Sequence, residues 1–158
     1  MIIFFVTTAL HRWYTRRQIR NGKVDRPKEE TMLHIDIKRK PSPKAKPADE
    51  KKLGFGKYFT DHMFIMDYTA DKGWHDARIV PFADFSMTPA ALVYHYGMCI
   101  FEGLKAYRTP DGTVQLFRPD ENARRMMRSA ERMCMPPFPE AYFTQAVQEL
   151  VAVDKDWV

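Results

Sequence analysis

The segment from Pro119 to Pro137 constrains the fold more than any other part of the chain. Pro119, Asp120 and Glu121 put a proline and two acids where a first helical turn accepts them. Ala123, Met126, Met127, Ala130, Met133 and Cys134 then recur at three- and four-residue spacing, which gives a helix one apolar stripe. This spacing predicts a helix to about Met133, ended by Pro136-Pro137. A second amphipathic helix is marked by Phe143, Ala146, Val147, Leu150 and Val151.

The residues upstream read as strands and turns. Tyr58 to Tyr68, rich in aromatic and apolar residues and set between Gly54/Gly56 and Lys72-Gly73, predicts a strand, and Arg78 to Phe82 a second. Thr88-Pro89 predicts the start of a short helix running through Tyr94 and stopping at Gly97. Phe101–Arg108 and Thr113–Arg118 flank Thr109-Pro-Asp-Gly112, whose turn chemistry predicts a hairpin. Strands, then a hairpin, then helices point to an α+β (mixed α/β layer) domain. At 158 residues there is room for one such domain and not two.

The formal net charge of +5 is unevenly distributed. Residues 1–50 hold 12 Lys and Arg against 6 Asp and Glu, whereas residues 51–158 hold 13 against 14. The basic character therefore belongs to an extension, and no aromatic-interleaved basic stripe follows it, so a nucleic-acid partner is not expected. Ten apolar residues from Met1 to Leu10 are too few to span a bilayer, and no membrane partner is expected. Arg12, Arg16, Arg17 and Arg20, with no acid before Asp25, give the stretch some likeness to a mitochondrial presequence. The protein is expected to be cytoplasmic, or mitochondrial if residues 1–31 are a genuine presequence; a third reading is that translation starts at Met32. Lys40-Pro-Ser-Pro-Lys-Ala-Lys-Pro47 reads as an extended linker. The expected division is therefore a flexible extension and linker over 1–52 and a folded domain over 53–158. Cys99 and Cys134, in apolar surroundings and without paired spacing, are expected to be buried free thiols.

Few residues stand out for chemistry. His11, His34, His62, His75 and His95 are scattered without metal-ligand spacing, so no metal is expected, and His62 is read as structural. Arg125, Arg128 and Arg132 fall on one helical face opposite the methionine stripe. Such a face is either a solvated basic surface or an anion site, where a guanidinium grips an oxyanion through paired hydrogen bonds. Spacing alone does not choose between these.

Several segments, in order, resemble the branched-chain amino acid aminotransferases. They are Phe55-Gly-Lys-Tyr-Phe-Thr-Asp-His-Met63, Asp71-Lys-Gly-Trp74, Tyr96 followed by Phe101-Glu-Gly-Leu-Lys-Ala-Tyr-Arg108, Leu116-Phe-Arg-Pro119, Asn122-Ala-Arg-Arg-Met126 with Arg128-Ser-Ala130, and Val153-Asp-Lys-Asp-Trp-Val158. The resemblance covers about residues 53–158 and implies the small N-terminal domain of a fold-type IV pyridoxal-phosphate enzyme, without the second domain. That family pairs its subunits as homodimers and exchanges the amino group of leucine, isoleucine or valine with 2-oxoglutarate. Arg125 matches the arginine that binds the phosphate of pyridoxal 5'-phosphate. Phe55, Tyr96 and Phe101 match the aromatic wall of the substrate pocket.

Lys105 does not match the Schiff-base lysine, which the resemblance places beyond Val158, so no catalytic residue is expected within this chain and the chain alone is expected to be inactive. An alternative is a non-catalytic module, or a half-enzyme pairing with a separate chain that bears the lysine.

Overall fold

The computed structural model describes residues 2–6, 32–49, 52–54 and 56–158. Phe55 and most of the N-terminal basic stretch lie outside the described residues. The described strands are β1 (Ile2–Val6), β2 (Asp36–Ile37), β3 (His62–Thr69), β4 (Gly73–Pro81), β5 (Ile100–Leu104), β6 (Ala106–Arg108) and β7 (Val114–Leu116). The helices are α1 (Leu92–Tyr96), α2 (Pro119–Arg132) and α3 (Glu140–Val153), with a 3-10 turn at Lys155–Trp157. The architecture is mixed helix and strand, as the order of sequence signals requires.

Both long helices form where the apolar spacing places them. α2 has Pro119 at its start, Asp120 and Glu121 in its first turn, and buries Ala123, Met126 and Ala130. α3 buries Phe143, Ala146, Val147, Leu150 and Val151. These residues join Ile100, Leu104, Met135 and Phe138 in one core. Trp74 closes its edge, meeting the Phe138 ring edge-on at 4.8 Å and donating its indole N–H to the Pro137 carbonyl at 2.9 Å.

The end of α2 explains one departure from expectation. Met135 N–H bonds to Ala130 O at 2.8 Å and Cys134 N–H to Glu131 O at 3.1 Å, the double closure in which the residue after the cap turns left-handed. Cys134 is that residue, with φ of 55°. Its thiol is therefore exposed rather than buried, and the Cys99 thiol is exposed too; both are free.

The strands differ more from expectation. β3 begins at His62, four residues after Tyr58, and β4 begins at Gly73, ahead of Arg78. A three-residue turn joins Thr69 to Gly73, which has φ of 70°, a conformation glycine adopts without strain. The register slips between Ile65 and Asp67, opposite Asp76 at φ 55°, so β4 is bulged where its sequence looks least like a strand. α1 starts at Leu92 and not at Thr88-Pro89, because Ala91 N–H closes a turn on Thr88 O at 3.0 Å and Ala91 itself is extended. Gly97, left-handed at φ 59°, ends α1 where expected.

The hairpin is shorter than its flanks suggest. β6 and β7 pair over Ala106–Leu116, Tyr107–Gln115 and Arg108–Val114 only. Arg118 turns left-handed at φ 46° to open α2, which removes Phe117 and Arg118 from the ladder. β5 pairs instead with β1, antiparallel, with Ile2 opposite Leu104 and Val6 opposite Ile100.

The Lys/Pro-rich stretch is extended, and it is tied to the domain along its length. β2 runs parallel to β4. Leu33 exchanges two hydrogen bonds with the Gln145 side-chain amide, at 2.8 and 2.9 Å. Lys40 N–H donates to His62 Nε2 at 2.8 Å, Lys44 N–H to Asp61 Oδ1 at 2.8 Å, and the Lys46 ammonium to Asp156 O. His62 is buried; its Nδ1 lies 2.6 Å from Asp154 Oδ1, and its backbone N–H donates to the same carboxylate at 3.1 Å. Because Nε2 accepts from Lys40, the ring proton sits on Nδ1.

Candidate functional site

β5 determines the site. Its residues alternate between the core and the outside, so Ile100, Glu102 and Leu104 face in while Phe101 and Gly103 face out. Period-two alternation thus drives a carboxylate into an apolar core, and the chain satisfies it completely. Glu102 Oε1 accepts from Gly103 N–H at 3.0 Å and Asn122 Nδ2 at 3.1 Å; Oε2 accepts from Arg125 Nε at 2.9 Å, and Arg125 Nη2 also donates to Oε1. Asn122 Nδ2 bonds Gly103 O as well, at 3.1 Å, fixing α2 to β5. Burial pushes the Glu102 carboxyl up, but the Arg125, Asn122 and Gly103 donors outweigh it and hold the group below its ordinary value of 4.5.

The pair is asymmetric. The Glu102 side chain is 2% exposed and that of Arg125 60%. Glu102 engages the Nε edge of the guanidinium and leaves Nη1 without a partner among the described residues. Hydrogen bonding and attraction from Glu102 raise the Arg125 pKa further, so the cation is permanent. A buried, satisfied carboxylate therefore acts as a mount that presents a fixed cation to solvent.

The arginines of α2 divide by task. Arg124 pairs with Asp120 at 3.1 Å, Glu121 at 2.7 Å and Glu140 at 3.2 Å, which links α2 to the first turn of α3. Arg125, Arg128 and Arg132, with Ser129 and Met133, line one open cleft of about 370 Å³. The face read from spacing is thus a real surface feature.

Phe101 is 55% exposed, with its ring over Gly103; a Cβ at 103 would lie 3.4 Å from the ring tip. Tyr96, at the end of α1, is 76% exposed. Phe101 and Arg125 thus flank the same strand, joined through Glu102 one residue along, while Phe55 lies outside the described residues. Lys105 is exposed at the break between β5 and β6. Among the described residues no cluster of three or more His, Cys, Asp or Glu is arranged to hold a metal ion, and no helix is long and apolar enough to cross a membrane.

Sequence reasoning missed Glu102 and Asn122 as the mounting of Arg125. The signal was present in the alternation of Ile100, Glu102 and Leu104, which puts the carboxylate on the inner face.

Comparison with known proteins bears on what this site belongs to. No family model matches the chain. The chain is 48% identical over 131 residues to branched-chain-amino-acid aminotransferase 2 of Bacillus subtilis, 83% of this chain and 35% of that protein. It is 56% identical over 115 residues to branched-chain-amino-acid transaminase 1 of the same organism, 73% of this chain and 32% of the relative. To the branched-chain-amino-acid aminotransferase of Mycolicibacterium smegmatis it is 51% identical over 105 residues, 66% and 28% respectively. The chain spans about a third of the length of these relatives. By these matches the chain belongs to the branched-chain-amino-acid aminotransferase family, as a stretch about a third as long as its curated members.

Proposed function

We propose that residues 53–158 are the small N-terminal domain of a fold-type IV subunit and contribute one wall of a pyridoxal 5'-phosphate site that a second domain and a homodimer partner complete. The activity of the completed protein is transfer of the amino group of leucine, isoleucine or valine to 2-oxoglutarate. The names of the relatives support the reaction, and the mounting of Arg125 on buried Glu102 is the observation that carries this chain's part in it.

The residues present fit the phosphate end of the cofactor. Arg125 is charged, exposed, held at one edge and open at Nη1. A fixed fork of donors of this kind matches a phosphate better than a mobile ammonium. When bound, the cofactor supplies the electron sink for the carbon that loses its proton. Phe101 and Tyr96, both exposed, are assigned to the apolar side of the pocket, and Phe55 is assigned there by the resemblance alone; apolar rings reward a branched aliphatic side chain and give a charged one nothing to pair with. Lys105 does not match the family's Schiff-base lysine and is assigned no part in this reading.

The test compares binding of pyridoxal 5'-phosphate with binding of pyridoxal, which lacks the phosphate, by equilibrium dialysis of the native gene product. Arg125→Ala is expected to reduce the preference for the phosphorylated form about tenfold to a hundredfold, the range for losing a charge-assisted hydrogen-bond pair. An unchanged preference would refute the assignment of Arg125.

A further inference from the structure

Arg128 and Arg132 differ from the other arginines of α2. Arg124 has three carboxylate partners and Arg125 has one. Among the described residues Arg128 and Arg132 have none, Glu131 between them included. Both line the cleft that Arg125 opens onto. Glu102 balances Arg125, so Arg128 and Arg132 are left with two positive charges that no carboxylate meets among the described residues. The dipole of α2 favours a cation in the last turn, which accounts for Arg132 but fades before Arg128. Like charges gathered on one helical face without a counter-charge repel, and an oxyanion between them relieves that repulsion.

We propose that Arg128 and Arg132 form a subsite for a phosphate dianion, free or carried as a monoester, beside and separate from the phosphate assigned to Arg125. The inference rests on that assignment only in taking Arg125 as already engaged. A phosphate brings a charge of about −1.5 to −2 at pH 7 and three acceptor oxygens, which matches the two guanidinium charges of Arg128 and Arg132 and their forked donors. No side chain in the cleft competes with it: Ser129 Oγ donates to Arg125 O at 3.0 Å, and Met133 is apolar. Because both guanidinium groups are exposed, binding is sensitive to salt.

The experiment is arginine modification by phenylglyoxal on the full chain, resolved residue by residue by peptide mass spectrometry. It is run in inorganic phosphate, in glycerol 3-phosphate, and in chloride at matched ionic strength. Phosphate is expected to slow modification of both Arg128 and Arg132 roughly fivefold, chloride to leave it unchanged, and the protection to persist in Arg125→Lys, which keeps a cation beside Glu102. Protection by glycerol 3-phosphate as well identifies a monoester as the ligand class; protection by inorganic phosphate alone identifies the free ion. Equal protection by chloride, protection of only one of the pair, or loss of protection in Arg125→Lys overturns the subsite. Protection confined to Arg125 overturns it too, while leaving the cofactor assignment intact.

Discussion

Glu102 is buried at 2% exposure and still ionised, because four hydrogen bonds from three residues replace the water it gave up. Its folded-state pKa lies below the ordinary 4.5, so the folded chain binds fewer protons than the unfolded one as pH falls. The stability this contributes is complete above about pH 4.5 and drains away as pH drops through the lower folded-state value. Asp61 behaves alike: burial raises its pKa, and Lys44 N–H, the Trp157 indole N–H, Lys40 and His62 together bring it below 3.8. Glu102→Gln keeps the shape but loses the charge and one acceptor, and is expected to cost roughly 1–2 kcal/mol at pH 7, discounted for the exposed Arg125 side. Urea unfolding of wild type and variant should show that difference shrinking as pH falls below about 4.5, since protonation removes the same charge from the wild type. A difference independent of pH would show that the pair contributes by shape alone.

The closure of α2 is a matter of element ends rather than of side-chain chemistry. Cys134 holds a left-handed conformation that costs a residue with a Cβ about 1 kcal/mol and costs glycine almost nothing. Cys134→Gly is therefore expected to stabilise the domain by about 0.5–1 kcal/mol, read as a higher denaturation midpoint with an unchanged slope. Ending α2 was legible in the sequence through Pro136-Pro137; how it ends was not, because the left-handed position carries a cysteine where glycine would have announced it. The same holds elsewhere. α2 and α3 could be read from apolar spacing because each has one dry face: all five residues marked in α3 are buried, and in α2 Ala123, Met126 and Ala130 are buried while Met127 and Met133 are half-buried and Cys134 is exposed. β4 was half hidden because its first part holds Gly73 and the bulged Asp76, residues that do not look like a strand. The arginine face was visible as spacing, and only the resemblance gave Arg125 a role apart from its neighbours. The mounting of Arg125 was not visible, since Glu102 reads as a surface residue until β5 is placed against the core.

Across the whole molecule, one knot joins the early and late parts of the chain. Asp154 accepts from both the backbone and the ring of His62, His62 accepts from Lys40, and Trp157 and Lys44 both donate to Asp61. Asp154→Ala strips two buried donors of their acceptor and is expected to cost about 2–4 kcal/mol. Hydrogen exchange should then show the amides of Lys40 and Lys44 losing protection before those of α2, whose core lies elsewhere; uniform loss across the chain would contradict a local knot.

The clamp between Leu33 and Gln145 joins residues 112 apart, and the bond from Lys46 to Asp156 joins residues 110 apart. On a ribosome adding about 5–20 residues per second, Leu33 emerges on the order of ten seconds before the amide that will hold it exists. Throughout that interval the early stretch can pair β2 with β4 but lacks its anchors at Gln145 and Asp156, and Leu33 is open to any chaperone or protease nearby. Gln145 in α3 and Asp156 in the 3-10 turn after it therefore work as a timer: the two clamps stay open until these residues have been made, and the order of synthesis sets the length of that exposure.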